Sequence, residues 1–233
     1  FMIELLCHLY IKIYKVLIHI KMANIESAYN NYAKTPSDIN EHLPTLKNYA
    51  ESCEHITELG VRDAISTIGF IQGLVNNNSS NKKLIGVDIY TSDNIKIMSE
   101  FCKYNEINYK FIEESDLTIT LEQTDLLFID TWHCYGQLIR ELNLHNNKVN
   151  KYIILHDTTI DEYTSEIVRI PKRWCNAKKP HYIKIKQDSG FTKYELETGL
   201  WPAVEDFLKT NQNWMIEKRY VNNNGLTILK RID

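Results

Sequence analysis

The sequence predicts an α/β domain. A mostly parallel sheet of seven strands carries helices on both faces and is closed by a C-terminal antiparallel hairpin. Three observations predict it. Short, continuous apolar runs such as Leu84-Ile85-Gly86-Val87 and Leu126-Leu127-Phe128-Ile129 alternate with stretches of helical spacing, the pattern of parallel strands buried on both faces. Asn224-Gly225 separates two further strand-like runs, a strong hairpin signal. At 233 residues the chain is long enough for one generous domain and short for two.

The elements follow in order. After Met22 comes a polar helical stretch. Ser37 or Asp38 then caps a helix at about 39–52, with Ile39, Leu43, Leu46 and Tyr49 near helical spacing. A strand at 55–60 ends in a turn, and a helix is expected at 64–75. A buried strand at 84–89, a helix at about 93–105 and a strand at 109–112 come next. A short helix is expected at 117–123. Residues 125–130 form the clearest buried strand, followed by a helix at 134–147 and a strand at 151–156. The stretch 158–198 mixes Pro171, Trp174, Pro180 and Tyr182 without periodicity, as a lid or binding insert would. Pro202 opens a helix at 202–210, and the hairpin strands occupy 214–221 and 226–231.

Composition narrows the classes. Apolar residues make up 43% and charged residues 24%, which excludes a disordered chain. The net charge of −3 offers neither a nucleic-acid groove nor a membrane-binding patch. Lys172, Arg173, Lys178 and Lys179 form a local basic cluster, read as a solvated loop or as a contact for an anionic substrate. The cysteines (Cys7, Cys53, Cys102, Cys134, Cys175) are odd in number and lack metal-ligand spacing, so reduced thiols in a cytoplasm-like compartment are expected. Residues 1–21 are apolar but interrupted by Glu4, Lys12, Lys15 and His19, a weak candidate for a membrane span. Two readings of them stay open. They are a leader or appended segment ahead of a domain spanning 22–233, or an amphipathic helix that packs on the domain or a partner.

Ligands of open α/β sheets bind at the carboxyl ends of the strands. Those ends are polar here: Glu58 and Gly60, Asp88, Glu113-Glu114-Ser115, Asp130, and His156-Asp157. Gly60 permits close backbone approach to a ligand or a positive φ, and the helix after it offers free amides to a carboxylate. The plainer reading is an ordinary strand-to-helix turn. Asp88 suits the two hydroxyls of a ribose, or is a helix cap. Asp130 and Asp157 end neighbouring strands about 5 Å apart, so both can reach one substrate or one hard cation such as Mg²⁺; otherwise Asp157 belongs to a turn. His133 lies three residues beyond Asp130 and is a candidate general base for a substrate hydroxyl. His156 reads as a packing residue under the loop. His8, His19, His42 and His145 look structural, while His181 and the aromatic Trp132 and Trp201 flank the expected pocket.

At these residues the chain resembles the class I S-adenosylmethionine-dependent methyltransferases, which have a Rossmann-like fold. More narrowly, it resembles small-molecule and sugar O-methyltransferases akin to cephalosporin hydroxylase-like and macrocin O-methyltransferase-like proteins. The carrying segments are H-I-T-E-L-G-V-R-D-A-I-S-T at 55–67, I-G-V-D-I at 85–89, D-L-L-F-I-D-T-W-H-C-Y at 125–135, Y-I-I-L-H-D-T at 152–158 and G-L-W-P-A-V-E-D-F-L at 199–208. The resemblance implies S-adenosyl-L-methionine (SAM) as cofactor, bound by Glu58, Gly60, Ala64, Ser66, Asp88, Glu114, Ser115 and Asp130. It implies His133, Asp130 and Asp157 as catalytic residues, and Asp130 and Asp157 as metal-ligand positions in metal-dependent members. The implied partner is a small hydroxylated acceptor such as a sugar, with a homo-oligomer left open. Three departures stand out. Ala64 replaces the usual glycine, His156-Asp157 stands where some relatives have two acids, and Thr131-Trp132 replaces small residues before His133. Two rival classes remain. One is an NAD-dependent oxidoreductase, disfavoured by the missing G-x-G-x-x-G and by the hairpin. The other is a non-catalytic cofactor-binding or interaction domain.

Overall fold

The structure, a computed structural model, describes residues 25–169 and 189–232. The expectations for residues 1–21, for the basic cluster at 172–179, for His181 and for the middle of the 158–198 insert lie outside the described residues.

Five parallel strands, β1 (His55–Leu59), β2 (Lys83–Asp88), β3 (Asn108–Glu113), β4 (Thr124–Ile129) and β5 (Val149–His156), are joined by β6 (Trp214–Tyr220) and β7 (Leu226–Arg231) in one seven-stranded sheet. The strand order is β3-β2-β1-β4-β5-β7-β6, and β7 runs antiparallel to both its neighbours. The register brings Leu59 level with Val87 and Ile129, and Ile129 level with Leu155, so the strands β2, β1, β4 and β5 end along one edge.

Strand alternation divides the core into two layers. Ile56, Leu84, Leu126, Phe128, Ile154 and Ile228 face one layer, packed on α1 (Ile25–Lys34), α2 (Leu43–Ala50), α3 (Ile65–Asn76) and α4 (Asp93–Tyr104). Leu59, Ile85, Val87, Leu127, Ile129, Ile153 and Leu155 face the other, packed on α5 (Tyr135–His145) and α8 (Trp201–Thr210). Each fully buried Leu or Ile side chain contributes roughly 1.5–3 kcal/mol. Two short helices, α6 (Glu166–Arg169) and α7 (Lys193–Glu197), lie in the insert. Ser37 marks the start of the second helical region as expected: its Oγ accepts from the amides of Ile39 and Asn40.

One expected element is absent. Residues 117–123 form no helix, only a turn in which the amides of Thr118 and Ile119 bond to the Ser115 carbonyl. Thr118, Ile119 and Thr120 are consecutive β-branched residues, which lose side-chain freedom in a helix and extend instead towards β4.

The hairpin turn does more than reverse the chain. Asn223, Asn224 and Gly225 hold φ values of 44°, 69° and 97°, a left-handed run that Asn and Gly tolerate. The Asn224 carbonyl accepts from the amides of Thr159 and Ile160, tying the turn to the segment after β5. Among the described residues, no helix is long and apolar enough to cross a membrane, and Cys53, Cys102 and Cys134 are buried free thiols.

Candidate functional site

The strand order reverses direction at β1, whose neighbours are β2 and β4, and a crevice opens outside the carboxyl ends there. Gly60 follows β1 with φ +82°, and a Cβ placed on it would overlap the Asp130 carbonyl. Only glycine lets these two strand ends approach so closely. The crevice is a cleft of about 780 Å³, lined among others by Gly60, Arg62, Asp88, Glu114, Ser115, Asp130 and Trp132. A smaller annexe of about 170 Å³ runs beside the start of α3, lined by Ile65, Ser66, Asp130, His133 and Glu166.

Asp88 is fixed before any ligand arrives. Its Oδ2 accepts from the amides of Val61 and Arg62 at 2.9 and 2.8 Å, and its Oδ1 from the amide of Tyr90 at 3.1 Å. A carboxylate oxygen has lone pairs to spare after such bonds, so Asp88 can still receive hydroxyl groups. No side chain caps α3, and Ala64 before it takes the left-handed conformation at φ 59°. The annexe therefore borders a helix start with uncommitted amides, a fit for a carboxylate.

Glu58 is placed differently from the expectation. It is an inner residue of β1 on the face of Ile56, wholly buried against α3. Its carboxyl receives the hydroxyls of Ser66 and, at 2.7 Å, Thr67. Burial pushes its pKa up to about 8, against the pull of those two hydroxyls and helped by the nearby charges of Asp130 and Asp88. Glu58 therefore clamps the first turn of α3 from beneath the cleft. Ala64 is likewise wholly buried, and Ser66 borders the annexe while its hydroxyl is spent on Glu58.

At the other end of the crevice, acids gather around His133. Its Nε2 lies 2.8 Å from Asp157 Oδ2 and 3.3 Å from Asp130 Oδ1. Its Nδ1 lies 3.1 Å from Asp161 Oδ2 and 3.6 Å from Glu166 Oε2. Burial alone would lower the affinity of this ring for a proton, but hydrogen bonds to Asp130, Asp157 and Asp161 raise it well above the usual value. With both nitrogens engaged, His133 holds a proton at neutral pH, which is not the state of a free general base. Asp130 is affected in the opposite sense: burial raises its pKa, yet the bonds from His133 and His156 hold it well below the usual carboxylate range. Arg169 grips Asp161 through Nε at 2.6 Å and Nη2 at 2.9 Å.

His156 belongs to this centre rather than to the packing beneath a loop. Its Nε2 faces the carbonyls of Asp38 and Asn223 at 3.1 and 3.3 Å. Carbonyls only accept, so Nε2 carries a proton, while Nδ1 faces the carboxylate oxygen Asp130 Oδ2 at 3.2 Å, a contact that raises the ring's affinity for a second proton against the effect of burial. Asp130, His156 and Asp157 each offer a ligand atom, all within 4.8 Å of one another. Asp157 also carries a buried Oδ1 with no hydrogen-bond partner and a left-handed backbone at φ 57°. An orphaned carboxylate oxygen, a second carboxylate and an imidazole oriented by backbone carbonyls would fit a divalent cation that displaced the proton between His156 Nδ1 and Asp130.

Gly60, Asp88, Glu114, Ser115, Asp130 and His133 thus border the crevice and its annexe, and Asp157 meets His133 at its floor. Glu58 and Ala64 lie beneath it. Asp161, Glu166 and His156 escaped sequence reasoning. The first two stand in the aperiodic insert, and His156 was read as packing. The described ends of that insert reach the cleft: Glu166 and Ser189 line it, and Phe191 stacks on Trp132 with ring centroids 5.7 Å apart.

No family model and no curated protein matches the chain. Solved structures do match its fold. An SAH-bound methyltransferase from Podospora anserina is similar over 90% of this chain and 88% of its own, with TM-score 0.54 and 11% identity. An O-methyltransferase from Bacillus cereus in complex with SAH is similar over 92% and 90%, with TM-score 0.51 and 12% identity. The O-methyltransferase TomG from Streptomyces achromogenes, in complex with SAM, is similar over 93% and 90%, with TM-score 0.51 and 10% identity. The chain therefore has the Rossmann-like fold of these methyltransferases.

Proposed function

We propose that this protein transfers a methyl group from SAM to an oxygen of a small hydroxylated acceptor, a sugar being one candidate. One observation carries the reading. A cleft of about 780 Å³ at the sheet's switch point joins a pre-oriented ribose-type carboxylate, Asp88, to an acid–imidazole centre around Asp130 and His133. The likeness to SAH- and SAM-bound methyltransferases supports it at the level of fold.

In this reading Asp88 takes the ribose hydroxyls, the free amides of α3 take the carboxylate of the methionine part, and Glu114 and Ser115 border the nucleobase. SAM supplies an electrophilic methyl group on a sulfonium. The chain's own task is alignment and proton handling. Asp130 and Asp157 orient the acceptor hydroxyl, and His133 keeps both carboxylates in place. Because both nitrogens of His133 already face carboxylates, the acceptor's proton passes to a carboxylate oxygen of the Asp130–His133–Asp157 group. Trp132, held by Phe191, walls the acceptor side, and the described ends of the insert border it at Glu166 and Ser189.

A divalent cation would be held by Asp130, His156 and Asp157, and would add Lewis acidity at the acceptor oxygen. The imidazole in that donor set suits a transition ion better than Mg²⁺, and Mn²⁺, which also accepts carboxylate oxygens, serves as a paramagnetic probe of it.

The test is calorimetric titration with SAM and with NAD, followed by mass spectrometry of sugars and other hydroxylated molecules incubated with protein and SAM. SAM binding and a gain of one methyl on an acceptor are expected. Failure to bind SAM, or binding of NAD in its place, would sink the proposal. SAM binding with no acceptor modified across the panel would favour a non-catalytic binding domain.

A further inference from the structure

Behind the cleft wall, on α5, sits an acid that the methyl-transfer reading leaves unused. Glu141 is wholly buried. Its Oε1 accepts from Thr131 Oγ1 at 2.5 Å and from Gln137 Nε2 at 3.0 Å. The same Gln137 amide donates to Asp116 Oδ2 at 2.8 Å. Glu141 Oε2 is buried without a partner.

These contacts join two sides of one cleft. Thr131, Gln137 and Asp116 all line it, with Thr131 placed just after β4, beside Asp130, and Asp116 just after β3, beside Ser115. Glu141 lies behind all three. Burial first, and then neighbouring Asp116, raise the proton affinity of Glu141 well above the usual value. A neutral acid can sit against Asp116 without pushing it away, whereas a second carboxylate could not. Gln137 supplies two amide protons to two acceptors, which fixes which way round its amide lies.

We propose that Glu141 is a positioning residue that locks the Asp116–Gln137 wall to the Thr131 wall, so that the nucleobase end and the acceptor end of the cleft keep one fixed separation. The methyl-transfer reading supplies only the names of those two ends; the lock itself is a property of the free protein. Two of these links meet at Glu141 and the third runs on from Gln137 to Asp116, so removing the Glu141 side chain cuts the connection between the walls and loosens both, whereas removing the Thr131 hydroxyl loosens the Thr131 wall alone.

Hydrogen exchange of the ligand-free full chain tests this, alongside SAM titration. Glu141→Gln keeps an uncharged acceptor of the same shape and should leave exchange at 114–118 and 130–133 near that of the wild type. Glu141→Leu should speed exchange in both stretches by roughly tenfold or more, beyond any change elsewhere in the molecule. Thr131→Val should speed 130–133 and leave 114–118 slow. SAM affinity should fall roughly tenfold in Glu141→Leu and stay within about threefold in Glu141→Gln, the split expected of lost pre-organisation. Acceleration spread evenly over all slow amides, or none at either wall, overturns the proposal and leaves Glu141 a plain core residue. If Glu141→Leu does not fold, Thr131→Val decides, and unchanged exchange at 130–133 overturns the proposal. A wild type that binds no SAM sinks the methyl-transfer reading, while the exchange pattern still decides the lock.

Discussion

Glu58→Gln should make the protein less sensitive to alkaline pH, because the native carboxyl is held neutral. Glu58 ionises near 4.5 in an unfolded chain but only at about 8 in the folded one, chiefly through burial. Below pH 4.5 both states are protonated and the group contributes no pH dependence. Between 4.5 and about 8 the unfolded chain releases a proton that the folded one keeps, so stability falls as pH rises. At about 1.4 kcal/mol per pH unit, the ceiling is roughly 5 kcal/mol lost by pH 8 to 9. For a chain of this size each kcal/mol moves Tm by about 2–4 °C, so the full effect is of the order of 10–20 °C. The amide keeps the shape of the acid and can still bond Ser66 and Thr67, but it does not titrate. Thermal melts of wild type and Glu58→Gln from pH 5 to 9 isolate this group, since every other titration is common to both. The variant should match or slightly trail the wild type at pH 5 and overtake it by pH 8. Parallel curves across that range would refute the account of Glu58 as a buried neutral acid.

Three further outcomes are expected. His133→Asn should lower turnover roughly 100- to 10,000-fold while SAM affinity measured by calorimetry holds, and unchanged turnover would remove His133 from the proton-handling group. His156→Gln and Asp157→Asn should each weaken Mn²⁺ binding about tenfold or more in a titration followed by electron paramagnetic resonance; equal affinity in both variants would place any cation elsewhere. Gly60→Ala puts a Cβ into the Asp130 carbonyl at a positive φ and should cost roughly 2–4 kcal/mol in denaturant unfolding, and wild-type stability would mean that the two strand ends are not so close.

Most of the fold was legible because buried parallel strands read as apolar runs, with Pro202 marking the start of α8. The hairpin was legible from Asn224-Gly225 alone. The helix expected at 117–123 failed because it contains the β-branched run Thr118-Ile119-Thr120. Glu58 was misplaced for a reason already present in the sequence: strand alternation puts it on the same face as Ile56, turned inward, one residue short of the rim. Asp88 closes β2, and Asp130 and Asp157 directly follow β4 and β5, where the apolar runs end in the sequence. His156 gave no such sign, since a buried histidine under a loop and a ligand with a backbone-fixed tautomer look alike until Asp38 and Asn223 are seen to supply their carbonyls. Asp161 and Glu166 sit in an aperiodic insert, where only tertiary contact with His133 singles them out.

The acid–imidazole centre has a charge imbalance that bears on what it binds. Asp130, Asp157, Asp161 and Glu166 surround His133, with His156 and Arg169 as the further positive groups in contact with them. Even with both imidazoles protonated, four acids face three cations. In addition, Asp157 keeps an unpartnered buried oxygen and a left-handed backbone, a conformation that costs of the order of 1–3 kcal/mol in a non-glycine residue. A centre assembled only for stability would favour an uncharged residue at that position, because replacing buried charge by apolar packing is often neutral or stabilising. The unfavourable terms at Asp157 are instead of the kind that a bound cation reverses. It would satisfy the orphaned oxygen and turn the excess of acids into attraction. The orphaned oxygen and the excess of acids are the physical argument that a cation would be held here, and the Asp157→Asn titration tests it.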